Sequence, residues 1–178
     1  MNDPAGIQRP MNDPAGIQRT ESHFDGAKGQ RLFGRSWLSP SPRRSLVLVH
    51  GYGEHSGRYD HVGTWFAERG AAVHAYYHQG HGLSQGTRCH VRRFDDYLDD
   101  LEVVVERARH EAGDRPLFVV GHSMGGLIVC AWARERHPQL RGLVVSAPAL
   151  SAPGALSGAK LALLRAARFV LPTLSIES

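Results

Sequence analysis

The sequence predicts an α/β protein: a mostly parallel sheet with helices on both faces. Three observations carry that prediction. Short aliphatic runs, Leu46-Val47-Leu48-Val49 and Leu117-Phe118-Val119-Val120 with Gly142 to Ser146, have the continuous apolar character of strands buried on both sides. Segments of helical period lie between them. Strands and helices then alternate at lengths that suit crossover connections, which parallel neighbours require.

The elements follow in order. Residues 1–9 and 11–19 are the same string, MNDPAGIQR, with no hydrophobic period, so residues 1–20 are expected to be a disordered duplicated tail. His23 to Trp37 reads as strand, turn and strand, because Asp25-Gly26-Ala27-Lys28-Gly29 supplies turn residues and Arg31-Leu32-Phe33 resumes an extended run. Ser39-Pro40-Ser41-Pro42 breaks the chain before the first buried strand. Arg58 to Arg69 reads as a helix stopped by Gly70, and Ala72 to Tyr77 as the next strand. Asp95 to Glu111 is a long helix whose Tyr97, Leu101, Val104, Val105 and Ala108 share one face. After the strand Leu117–Val120, Met124 to Arg136 is helical and stops ahead of Pro138, whose ring disfavours a helical predecessor. Residues 21–150 form the expected core. Residues 151–178 are expected to begin a cap, with a helix over Leu156 to Leu171 that is apolar nearly all round.

Composition narrows the function. The net charge of +4 comes almost entirely from Arg, since Lys28 and Lys160 are the only lysines. These Arg residues are scattered among acids instead of forming a stripe, which argues against a nucleic-acid surface. Two cysteines, Cys89 and Cys130, are too few for a disulfide scaffold. The N-terminus is polar, without the apolar stretch of a signal peptide, and no apolar run approaches a membrane span. A cytoplasmic protein is expected.

The chemistry centres on Gly121-His122-Ser123-Met124-Gly125. A bare G-x-S-x-G is weak by itself, but here a buried strand precedes it and an apolar helix follows. A very tight strand-to-helix turn strains the serine backbone, and glycines on either side let the chain reverse without Cβ clashes. The helix N-terminus then aims N–H groups at the place where oxyanion charge develops. His50-Gly51-Tyr52-Gly53, directly after the strand Leu46–Val49, is placed to supply a second donor.

Together these residues resemble a known family. His50-Gly51-Tyr52-Gly53-Glu54-His55-Ser56-Gly57-Arg58-Tyr59 looks like the H-G-x-G-E-H-S-x-R-Y signature of the monoacylglycerol lipase and lysophospholipase family of α/β-hydrolases. Gly80-His81-Gly82-Leu83-Ser84 matches its G-H-G-x-S loop, and Ser146-Ala147-Pro148 the strand end before its cap. The resemblance implies the α/β-hydrolase fold, Ser123 as nucleophile and the Tyr52 and Met124 N–H groups as oxyanion hole. It also implies single-chain lipid esters such as monoacylglycerols as substrates, transient membrane-surface contact through the cap, and no metal, cofactor or nucleic acid. One position departs: where the family places Asp in D-H-x-G-H-G, this chain has Tyr77.

A triad in this fold runs Ser, then Asp or Glu, then His. After Ser123 the carboxylates are Glu135 and Glu177 and the histidine is His137. At a rise of about 1.5 Å per residue, Glu135 and His137 fall roughly 18–21 Å from Ser123 along one helix. A general base needs about 3 Å. The expectation is therefore that residues 1–178 contain neither acid nor base, that the end of the cap and the last strands are missing too, and that this chain alone turns over little. The competing readings are a non-catalytic remnant or binding protein, and a general carboxylesterase or lysophospholipase.

Overall fold

A computed structural model describes residues 11–12 and 16–150 of the chain, with side chains from residue 16 onward. Seven strands form one sheet in the order β1-β2-β3-β5-β4-β6-β7. They are β1 (Met11–Asn12), β2 (Gln18–Asp25), β3 (Arg31–Leu38), β4 (Arg44–Val49), β5 (Ala71–Tyr76), β6 (Leu117–His122) and β7 (Gly142–Ser146). The entry side is antiparallel, β1 on β2, β2 on β3 and β3 on β5. From β5 through β4 and β6 to β7 every pairing is parallel. The expected α/β fold with an edge hairpin leading into a parallel sheet is thus the observed one.

The aliphatic runs sit at the centre because they have an apolar residue for each face. Val47 and Val49 of β4, with Leu117 and Val119 of β6, enter one buried cluster. Their neighbours Leu46 and Leu48 enter the other, against which Phe118 and Val120 also lie. The first cluster is covered by α2 (Phe94–Ala112) and α3 (Met124–Arg136), through residues including Leu98, Leu101, Val105, Ile128 and Trp132. The second is covered by α1 (Asp60–Glu68), through Ala67 with Val62 and Phe66. Helices therefore lie on both faces, as the alternation predicts.

Polar contacts fasten the hairpin to the core. The turn between β2 and β3 is held by Asp100 of α2, whose carboxylate accepts from Ala27 N–H at 3.0 Å and Gln30 Nε2 at 2.9 Å. Burial pushes the Asp100 carboxyl up to about 6. On the other face Trp37 is fully buried and donates from Nε1 to Asp60 Oδ1 at 2.8 Å.

Boundaries differ from expectation at several places. The duplicated segment is not a tail through residue 20: β2 begins at Gln18 and pairs with Leu38, Met11–Asn12 adds a short strand to it, and Ile17 is fully buried. The reason is packing. Ile17 joins the cluster around Trp37, and Arg19 donates to Asp60 and Thr64 of α1, so apolar burial and charge pairing order a segment with no period of its own. The helix expected from Arg58 opens with a 3₁₀ turn, Ser56–Tyr59, before α1. The strand expected to end at Val120 continues to His122, whose register partner is Ser146. The expected cap, with its helix over Leu156–Leu171, lies outside the described residues. Among those described, β7 is the last strand beyond β6.

Candidate active site

Ser123 stands between β6 and α3 with φ 52° and ψ −118°, a backbone conformation that side chains other than glycine rarely adopt. Such strain costs on the order of 1–3 kcal/mol and persists only where the surroundings over-determine it. Here they do. The Ser123 N–H donates to Ser146 O at 3.0 Å, and its carbonyl accepts from Leu127 N–H at 3.1 Å, so β7 and the first turn of α3 fix both sides of the residue.

Glycines make the turn sterically feasible. A Cβ on Gly125 would fall 2.2 Å from Val49 O and 2.4 Å from His50 O, so the start of α3 lies directly on the end of β4. A Cβ on Gly121 would fall 2.6 Å from Gly125 O. The two glycines of the motif are needed for this backbone-on-backbone contact, and the same contact brings the loop after β4 to the serine. A Cβ on Gly51 would lie 3.1 Å from Ser123 Cβ.

That loop is held by side chains. Glu54 accepts from Gly51 N–H at 2.5 Å and from Tyr59 O–H at 2.8 Å. Burial alone would raise the Glu54 carboxyl, but these two donors and nearby histidines hold it below its ordinary value. On the other side, His78 N–H donates to His50 Nε2 at 3.0 Å, which leaves the ring proton of His50 on Nδ1, and Nδ1–H donates to Gly51 O at 2.7 Å. The His78 ring returns the contact, donating from Nε2 to His50 O at 2.9 Å. Burial, with His81 adding to it, lowers the His50 pKa to about 4 against the pull of the Gly51 carbonyl, so the ring is neutral at pH 7. The His78 pKa is also driven down, by burial first and then by His50.

The donors expected of an oxyanion hole are at the surface of this arrangement. Met124 is the first residue of α3, where backbone N–H groups have no intrahelical acceptor. Tyr52 follows Gly51 with its side chain exposed, and among the described residues its N–H has no acceptor. Among the described residues no triad accompanies them. Glu135 and His137 sit at the far end of α3, and His122 Nδ1 meets Ser146 Oγ at 3.4 Å. His81 points Nδ1 at Gln79 O at 3.2 Å.

Tyr77, the position that departs from the family pattern, is buried. Its ring lies 4.8 Å from that of Phe33 and 5.5 Å from that of His55. A Cβ on Gly82 would fall 2.0 Å from Tyr77 Cδ2, so the glycine of the G-H-G loop makes room for the larger ring. His78 is the first histidine of the D-H-x-G-H-G string, but nothing in that string pairs it with His50; only the alignment of β4 beside β5 brings the two together.

Residues 40–178 match the α/β-hydrolase family described as "Serine aminopeptidase, S33". The chain belongs to that family. It is 35% identical over 160 residues to a monoacylglycerol lipase of Mycolicibacterium smegmatis, covering 89% of this chain and 57% of that protein. It is 36% identical over 156 residues to the monoglyceride lipase of Rattus norvegicus, covering 86% of this chain and 52% of the relative. Among solved structures, the monoacylglycerol lipase of Paleococcus ferrophilus superposes with a TM-score of 0.69 at 33% identity, over 82% of this chain and 54% of that one. The chain thus spans about half the length of the curated relatives it matches. Among the described residues no helix is long and apolar enough to cross a membrane.

Proposed function

We propose that this chain carries the nucleophile half of a serine ester hydrolase acting on monoacylglycerols or similar single-chain lipid esters. The observation that carries the reading is Ser123 itself: a strained serine over a helix N-terminus, with the Gly51 loop against its Cβ. The similarity to monoacylglycerol lipases supports the substrate class.

In this reading Ser123 Oγ attacks the ester carbonyl and gives up its proton to a general base. The carbonyl oxygen gains charge and accepts from the Tyr52 and Met124 N–H groups. The C–O bond to glycerol then breaks, glycerol leaves with a proton, and the acyl group stays on Oγ until water releases it as a fatty acid. Glu135 and His137, at the far end of α3, are too distant for the proton transfer, so in this reading residues 1–178 by themselves turn over little or no ester. Contact of the cap segment with a lipid surface belongs to the same reading.

The experiment compares residues 1–178 with the product of the gene's full reading frame, each as wild type and Ser123→Ala, on monoacylglycerol, lysophospholipid and short-chain esters. The reading expects the full product to be active, fastest on monoacylglycerol, and silenced by Ser123→Ala. Enzyme-like turnover by residues 1–178 would overturn the claim that the base is absent. A full product that is inactive on every ester favours the non-catalytic alternative.

A further inference from the structure

We infer that His50 and His78 form a reciprocal clasp that sets the orientation of the Gly51–Tyr52 peptide, making both of them positioning residues for the oxyanion donor. The inference rests on the reading of Tyr52 N–H as that donor and goes beyond it, because it names what aims the group.

The argument is one of peptide geometry. The Gly51 carbonyl and the Tyr52 N–H belong to a single planar trans unit, so they point in opposite directions and rotate together. Fixing the carbonyl fixes the N–H. The carbonyl is fixed by His50 Nδ1–H at 2.7 Å, and His50 can donate there because His78 N–H occupies Nε2 at 3.0 Å. The other tautomer would set a lone pair against the Gly51 carbonyl and an N–H against the His78 N–H, two repulsive contacts in a buried site. His78 closes the loop by donating from its own ring to the His50 carbonyl at 2.9 Å. Two backbone segments, the end of β4 and the chain just after β5, are thereby tied by a pair of bonds whose common output is one peptide plane. Both imidazoles are almost completely buried, with centroids 4.1 Å apart, so solvent cannot replace either bond. A peptide left free to rotate would present the Gly51 carbonyl, an acceptor, toward developing negative charge for part of the time. Preorganisation of this kind is what distinguishes an oxyanion hole from two nearby amides.

The test uses residues 1–178. Nitrogen-15 NMR of the histidine rings reads the His50 tautomer, and the carbon-13 shift of Gly51 C=O reads the hydrogen bond. The expected result at pH 7 is a neutral His50 protonated at Nδ1 with a downfield Gly51 carbonyl; a ring protonated at Nε2 would overturn the clasp. The functional arm follows phosphonylation of Ser123 by a fluorophosphonate, separating the first-order step from reagent binding. His50→Leu, which has no donor, is expected to slow that step about 100-fold, the loss seen when one oxyanion donor is removed, with reagent binding little changed. His50→Asn, whose amide can donate from the Nδ1 position, is expected to recover most of the rate and of the carbonyl shift. Equal loss in both variants, or a loss confined to reagent binding, would mean a merely structural role and overturn the inference. If wild-type Ser123 takes no phosphonate at all, the nucleophile reading fails, and the tautomer and carbonyl shift still decide the clasp.

Discussion

The two sides of Ser123 are built by different physics. On the elbow side, β4, β6 and α3 meet backbone to backbone, and Gly121 and Gly125 are there because any side chain atom would overlap a carbonyl. On the loop side, Gly51 is positioned by its N–H donating to Glu54 and its carbonyl accepting from His50, whose ring is in turn set by His78. The first side depends on volume and contains no titratable group at its glycines. The second depends in addition on which atoms carry protons. One reactive residue is therefore held by a steric vice on one flank and by a protonation-dependent network on the other.

The largest effect expected from this contrast is at Gly125. A methyl there would have to displace the Val49 and His50 carbonyls, both backbone, so Gly125→Ala is expected to lose about 3–5 kcal/mol of stability. Urea unfolding followed by far-ultraviolet circular dichroism reads it; a loss under about 1 kcal/mol would mean the contact can open, against the steric account.

Acid should act on the other flank. The folded-state pKa of His50 is lowered from 6.5 to about 4, so between those values the unfolded chain binds more protons and stability rises with pH. The contribution is complete above about pH 6.5 and is lost as pH falls toward about 4, a change of about 3 kcal/mol from this group. His78 and His81 are lowered too and act in the same direction. Urea midpoints measured from pH 7.5 to 4 should fall, and His50→Asn should flatten the slope. A slope that His50→Asn leaves unchanged would assign the acid sensitivity elsewhere.

These flanks also differ in how visible they are in the sequence. The elbow and both central strands are legible because their causes are local: a glycine two residues to either side of a serine, an aliphatic run before it, a helical period after it. The oxyanion loop is legible as a motif, but its support is not. His78 lies 28 positions from His50, and nothing in residue spacing says that its N–H would fix the tautomer of the earlier ring. The ordering of residues 16–20 escaped for the same reason, since Ile17 and Arg19 are held by Trp37, Asp60 and Thr64, distant partners revealed by tertiary packing.

A smaller effect tests the strain itself. Ser123→Gly removes the Cβ at φ 52°, ψ −118° and is expected to stabilise the chain by about 1–2 kcal/mol while abolishing the nucleophile. The gain should appear as a higher urea midpoint with an unchanged slope. No gain, or a loss, would show that the serine backbone is not strained.

The most direct measurement of the central claim, a serine placed for attack without its base, is the rate at which Ser123 of residues 1–178 is phosphonylated with and without added imidazole, read by intact mass and peptide mapping. The account predicts a single adduct at Ser123 that forms slowly, accelerates with imidazole as a substitute base, and is absent in Ser123→Ala. An adduct elsewhere, or fast labelling indifferent to imidazole, would contradict it.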